Sequence, residues 1–333
     1  MKKIAINGLG RIGRLALRLY VTNPPEHLSL VAANSPAPVE ELAYLIRYDS
    51  VHGRAPFEIK PGEDYLDIGT QRIAIFHEKD PERLPWRMNK VDIVLECTGL
   101  FRKREDAEKH LTAGASKVII SAEAKNEDLT VVLGVNEKLY DPKKHHIISN
   151  ASCTTNCLAP VAKVLNDTFG IKYLTATTVH AYTSSQAIID KSSPRHRRGR
   201  AAAVSLIPAS TGAATATERV LPELKGKMSA IAVRVPVVNG SLIDITAQVN
   251  RDVTSEMVNA VLKQFAEGDL KGILGYTEDE LVSADIIGDE HSGIVDANAT
   301  RVIMDRIVKM LVWYDNEYGY ARRLLDLAEY ISR

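Results

Sequence analysis

Cysteine is scarce, net charge is absent and no long apolar run occurs, and each lack removes a class of function. The three cysteines, Cys97, Cys153 and Cys157, are too few and too unevenly placed for a disulfide framework. The C-x-x-x-C spacing of the last two is neither a redox motif nor a four-ligand zinc pattern, so no metal site is expected. Lysine plus arginine equals aspartate plus glutamate at 42 each, which leaves no global field to recruit nucleic acid or an anionic membrane as a primary partner. No stretch approaches the ~20 apolar residues that a membrane span needs. The chain opens directly on a strand, with no export segment, and a reducing cytoplasm is the expected compartment.

What is present is an ordinary soluble composition, 45% hydrophobic and 25% charged, over 333 residues, a length that suggests two domains with a core each. The most informative stretch runs from Ser149 to Pro160, where a hydroxyl-rich turn enters an amphipathic helix. Apolar positions recur at Leu158, Val161, Ala162 and Leu165, which is helical spacing, and Pro160 should bend the helix. Cys153 therefore sits at or next to a helix N-terminus. Unpaired N–H groups and the positive end of the macrodipole favour an anion there, so a thiolate with its pKa drawn down is expected. A small buried core cysteine is the alternative. Ser152, Thr154, Thr155 and Asn156 argue against it, because they gather polar donors suited to an oxyanion or a phosphate.

The strand Lys3 to Asn7 leads at once into Gly8-Leu9-Gly10-Arg11-Ile12-Gly13 and a helix with Ile12, Leu15, Ala16 and Leu19 on its apolar face. Strand, G-x-G-x-x-G and helix in that order read as a dinucleotide site: the glycines turn tightly and admit a pyrophosphate, and the helix N-terminus faces it. A second strand, Leu28 to Asn34, ends where an acidic residue would bond the adenosine 2′-hydroxyl and repel a 2′-phosphate. This chain has Asn34-Ser35-Pro36 instead, so use of NADP as well as NAD, or in preference to it, is expected. Residues 39–86 read as short strands and turns, a scaffold. His27, His52, His77, His110, His145 and His146 read as structural or surface histidines. A near-continuously apolar strand from Val91 ends at Thr98 and Gly99, at the carboxyl edge where such sheets bind ligands, and Cys97 reads as core. A helix near Glu105 to Thr112 and strands at Lys117 to Ser121, Thr130 to Gly134 and Ile147 to Ser149 complete an alternating pattern, that of a doubly wound parallel sheet. Beyond the Cys153 helix, period-two strands such as Ser241 to Val249 and helices such as Thr254 to Ala266 indicate an α+β domain.

The heptapeptide Ala151 to Cys157, ASCTTNC, resembles the active-site signature of the phosphorylating glyceraldehyde-3-phosphate dehydrogenases, and the resemblance extends along essentially the whole chain. It implies an α/β protein: a Rossmann-type doubly wound parallel sheet domain, residues 1–152 and 317–333, and an α+β catalytic domain with a largely antiparallel sheet, residues 153–316. Cys153 and His180, in Thr177 to Thr183, are then the catalytic pair, a thiol that attacks an aldehyde and its base. The cofactor residues are Asn7, Gly8, Gly10, Arg11, Ile12, Gly13, Asn34, Ser35, Thr98, Ser121 and Asn316. Lys191 and Ser192 replace the family's common apolar residue and proline and agree with a 2′-phosphate. The run Arg195 to Arg200 admits a nucleic-acid patch, a solvated face or an anion site, and zero net charge argues against the first. By resemblance Arg198, with Ser152, Thr154, Thr211 and Gly212, holds inorganic phosphate, and Thr183 and Arg234 hold the substrate's phosphate. Three departures stand out: Ser35 replaces a usual aspartate, Glu123 a common proline and Thr215 a common lysine. The activity implied is reversible oxidative phosphorylation of glyceraldehyde 3-phosphate to 1,3-bisphosphoglycerate by a homotetramer. An erythrose-4-phosphate dehydrogenase on the same scaffold, which hydrolyses the thioester, is the alternative, and Thr183 favours the former.

Overall fold

A computed structural model describes all residues, 1–333. The chain forms two compact units, one of residues 1–131, 137–152 and 320–333, the other of residues 132–136 and 153–319.

The first unit is built on a nine-stranded sheet. Its strands lie in the order Leu129–Thr130, Ile147–Ser149, Lys117–Ile120, Ile93–Glu96, Lys2–Asn7, Leu28–Asn34, Gln71–Phe76, Tyr65–Ile68 and Ile59–Pro61. The first seven pair in parallel, and the last two add an antiparallel ribbon at the edge. Consecutive residues of the central strands, such as Ile4, Ala5 and Ile6, are all buried, so both faces are covered, as continuous apolar runs demand. Order reverses at Lys2–Asn7, which has later strands on both sides, and this is the switch point where such sheets open a crevice at their carboxyl ends.

Two features differ from the sequence reading. Residues 39–86 contain a helix, Val39–Arg47, whose buried positions Val39, Leu42, Ala43 and Ile46 follow helical spacing. Glu40 and Glu41 in its first turn and Arg47 in its last complement the helix dipole. The strand expected from Thr130 to Gly134 stops at Thr130. Asn136 Oδ1 accepts from Val132 N at 2.9 Å and Val135 N donates to Val132 O at 3.0 Å, so a turn replaces the ladder.

The second unit carries a seven-stranded sheet in the order Ile207–Ser210, Met228–Val235, Ile171–Ala181, Ser241–Val249, Ile307–Tyr314, Gly293–Ile303 and Leu274–Thr277. Four of its six pairings are antiparallel; Ile171–Ala181 with Met228–Val235 and Leu274–Thr277 with Gly293–Ile303 are parallel. Along Ser241–Val249 alternate residues are buried, the one-sided pattern expected of a sheet with a wetter face. The helix Cys153–Phe169 runs through Pro160 with most of its residues buried. Register places His180 opposite Arg234, which brings together two side chains 54 residues apart.

Candidate active site

In the first unit the glycine turn is shaped by what cannot fit beside it. Gly8 has φ +97°, and a Cβ there would meet Thr98 N at 2.7 Å. A Cβ on Gly13 would meet Gly8 O at 2.0 Å, so the helix Arg11–Thr22 packs directly on the turn. Gly10 caps that helix without a side-chain acceptor, which leaves its first N–H groups to an anion. Asp49, which also accepts from Val51 N and His52 N, forms an ion pair with Arg11. Burial works against its ionisation, but the Arg11 bond and the two N–H groups outweigh burial and hold the carboxyl at about 2.

Beneath the turn lies a buried polar relay. Asn34 Nδ2 donates to Asn7 Oδ1 at 2.7 Å, and Asn7 Nδ2 donates to Glu96 Oε2 at 2.6 Å. Trp86 Nε1 donates to His110 Nδ1 at 3.0 Å, which leaves the His110 proton on Nε2, 3.0 Å from Glu96 Oε2. Glu96 Oε1 accepts from Thr98 N at 2.8 Å and from Thr98 Oγ1. His110 is fully buried within this relay and belongs to the scaffold. The relay fixes Asn7, Asn34 and Thr98 at the ends of three adjacent strands. Ser121 N follows on a fourth, 2.9 Å from Glu96 O. A crevice floor of small and amide residues beside a helix N-terminus fits a dinucleotide. Ser35 is held by its backbone, N to Phe76 O at 2.9 Å, and its Oγ accepts from Ala37 N at 3.4 Å. Cys97 is partly buried rather than fully in the core, and burial pushes its thiol up to about 12, so it is inert at neutral pH.

In the second unit Cys153 is the first residue of its helix. Two residues earlier, Ala151 has φ +54°, a left-handed conformation that alanine rarely adopts and that concentrates at functional turns. Cys153 Sγ lies 3.5 Å from His180 Nε2. His180 Nδ1 donates to Ala181 O at 2.6 Å, which turns the Nε2 lone pair toward the thiol. Arg234 Nη1 donates to the same carbonyl at 3.0 Å and stands 2.5 Å from Nδ1, so its charge bears directly on the ring. Burial, then Arg234 and Arg198, press His180 down to about 3.

The thiol corrects an expectation. Burial pushes Cys153 above its ordinary value, and the pull of Arg234 and of the Thr154 hydroxyl and N–H does not offset it. At neutral pH the pair is therefore thiol and neutral imidazole, a nucleophile and a base in waiting rather than a preformed ion pair. Alkylation of Cys153 by iodoacetamide in the ligand-free chain is expected to keep rising above about pH 8 instead of levelling off in the acid range. Because Arg234 favours the thiolate, Arg234→Gln should move that profile to higher pH, and a profile left in place would contradict the geometry.

A hydroxyl chain surrounds the pair: Tyr314 OH lies 3.0 Å from Thr154 Oγ1 and 2.8 Å from Thr178 Oγ1, with its ring centroid 5.9 Å from that of His180. Tyr314 and Thr178 carry no local signal in the sequence. Arg198 Nη1 donates to Ser185 Oγ at 2.9 Å, and Ser185 Oγ lies 2.8 Å from Thr183 Oγ1, so Arg198 and Thr183 share a partner. Thr211 and Gly212 form the mouth of the helix Ala213–Val220, with Thr211 Oγ1 accepting from Ala213 N at 3.2 Å. Asn316 is buried, and its Oδ1 accepts from Ser241 Oγ at 2.7 Å. The same Ser241 Oγ accepts from Ala181 N, next to His180. Lys191 and Ser192 lie in an exposed loop, where Lys191 N donates to Gly199 O at 2.8 Å, next to Arg198. No group of three or more histidine, cysteine or acidic side chains is arranged to hold a metal ion, and no helix is long and apolar enough to cross a membrane.

Comparison with known proteins gives matches in both halves. Residues 2–104 match the family model for the glyceraldehyde 3-phosphate dehydrogenase NAD binding domain, and residues 152–316 match that for the C-terminal domain. The chain is 53% identical over 331 residues to glyceraldehyde-3-phosphate dehydrogenase 1 of Bacillus subtilis (strain 168), covering 99% of this chain and 98% of the relative. It is 54% identical over 330 residues to glyceraldehyde-3-phosphate dehydrogenase of Geobacillus stearothermophilus, with the same coverage. Identity to the enzyme of that name from Chlamydia pneumoniae is 48% over 332 residues, covering 99% of each chain.

Proposed function

Since the chain belongs to the glyceraldehyde 3-phosphate dehydrogenase family, an oxidoreductase family with an NAD-binding domain, we propose that it oxidises glyceraldehyde 3-phosphate to 1,3-bisphosphoglycerate through a thioester on Cys153. The observation that carries this reading is the Cys153–His180 pair, 3.5 Å from sulfur to nitrogen and set beside Arg234. As Cys153 Sγ bonds to the aldehyde carbon, the thiol proton goes to His180 Nε2. The new oxyanion accepts from the Cys153 backbone N–H at the helix mouth and takes a proton back from His180. Nicotinamide, when bound, would supply the hydride acceptor for conversion of the thiohemiacetal to a thioester; His180 Nε2 takes the hydroxyl proton as the hydride leaves, and Asn316, fixed by Ser241, would orient the carboxamide. Inorganic phosphate held by Ser152, Thr154, Thr211, Gly212 and Arg198 then attacks the thioester carbon. The sulfur leaves and recovers its proton from His180. Arg234 and Thr183 hold the substrate phosphate, for which a guanidinium fork is well shaped.

Asn7, Gly8, Gly10, Arg11, Ile12 and Gly13 would take the pyrophosphate, and Asn34 and Ser35 the adenosine ribose. Thr98 and Ser121 would line the crevice further along. NAD is the family cofactor. Use of NADP rests on the absence of a carboxylate at Ser35 and on Lys191 and Ser192. A homotetramer is what the family resemblance implies, and the large apolar side chains exposed on the second unit, Ile188, Ile189, Val204, Leu206 and Ile231, suit burial at a subunit interface. Initial rates with glyceraldehyde 3-phosphate, NAD against NADP, with and without phosphate, test the reading. Phosphate-dependent turnover with efficient NADP use supports all of it. A rate with NAD alone removes the Ser35 argument, and a rate with erythrose 4-phosphate that ignores phosphate replaces the reaction with the thioester-hydrolysing alternative.

A further inference from the structure

One carboxylate stands beside the residue that precedes the nucleophile. Ser152 Oγ donates to Glu123 Oε1 at 3.2 Å. Both residues are partly buried and belong to the first unit, and Ser152 is joined to Cys153 by a peptide bond. The contact is one of three that tie the same two segments: Asn150 N donates to Ile120 O at 3.0 Å, and Ser149 Oγ donates to Ala122 O at 2.7 Å. Glu123 is therefore held against the nucleophile turn by its backbone neighbours and is not a swinging surface side chain.

A hydroxyl has one proton to donate. The Ser152 proton is directed to Glu123, and the carboxylate adds negative charge where an incoming oxyanion would lie. Resting on the reading that Ser152 helps to hold inorganic phosphate, we infer that Glu123 restrains phosphate binding and so sets the phosphate concentration at which the acyl group leaves Cys153. The residue acts on the second half of the reaction only. Formation of the thioester involves no second anion at Ser152, so the aldehyde and dinucleotide steps are insensitive to it. The chain thus works at full rate only where inorganic phosphate is plentiful, and it holds its acyl group longer where phosphate is scarce.

Phosphate saturation kinetics on the full chain test this with Glu123→Gln, which keeps shape and acceptor oxygen but removes the charge, and Glu123→Ala, which removes both. At low ionic strength the phosphate KM is expected to fall about three- to tenfold in each variant, an effect that shrinks as salt screens the charge. KM for glyceraldehyde 3-phosphate and kcat at saturating phosphate should stay within about twofold of the parent, as expected for a purely electrostatic restraint. A phosphate KM unchanged or raised in both variants overturns the inference while leaving the reaction intact. A parent rate independent of phosphate overturns the underlying reading instead, and is seen before any variant is made.

Discussion

Cys153→Ser is expected to lower kcat for glyceraldehyde 3-phosphate oxidation by about 10⁴-fold or more while dinucleotide binding is unchanged. The serine hydroxyl fits where the thiol stands, at the first residue of the Cys153–Phe169 helix. It ionises far less readily, and a neutral imidazole as weak as His180, pressed to about 3, cannot make it a comparable nucleophile. The residues proposed for the pyrophosphate and the adenosine ribose lie in the first unit, with Asn7 and Asn34 held by the Asn34–Asn7–Glu96 relay, and this change does not touch them. Steady-state rates beside a fluorescence titration with NADH separate the two effects. Retention of more than about 1% of the parent kcat would exclude Cys153 as the nucleophile, since loss of an attacking group costs orders of magnitude more.

His180→Asn should cost about 10²–10⁴-fold in kcat, the usual worth of a positioned acid–base group. Asparagine keeps a polar side chain under Ala181 O but has no site to receive the Cys153 proton. The residual rate should then follow the thiolate alone, climbing about tenfold per pH unit below the thiol pKa. The parent, with its base in place, should show a flatter profile over the same range. A variant with the parent's profile at a uniformly lower rate would reduce His180 to a structural part. The two losses are not expected to add, because thiol and base act as one unit.

Much of the fold was legible because its signals are local, whereas the proposed role of His180 came from the family resemblance. Gly8, Gly10 and Gly13 follow a strand and open a helix, and the structure gives each part the place that the spacing assigns. Ser241–Val249 alternates as its residues suggest. The helix Val39–Arg47 was also legible in principle from Val39, Leu42, Ala43 and Ile46, but Tyr44 and Ile46 suit strands as well, and short apolar runs do not resolve the two. Relations made by pairing were hidden. Nothing near Arg234 announces that strand register sets it against His180, and nothing near Tyr314 announces that Thr154 and Thr178 meet at its hydroxyl. The thiol pKa was misjudged for a related reason. A helix N-terminus can be read from sequence, but the burial that outweighs it is a property of the packed unit.

A single-turnover experiment without phosphate tests the central claim most directly. Mixing the chain with NAD and excess glyceraldehyde 3-phosphate should give a burst of NADH equal to the active sites, followed by near-arrest, with the acyl mass on the peptide that carries Cys153. Adding phosphate should then release the acyl group and restore steady turnover. Linear NADH formation from the start without phosphate, or a burst with no acyl mass on Cys153, would contradict the account.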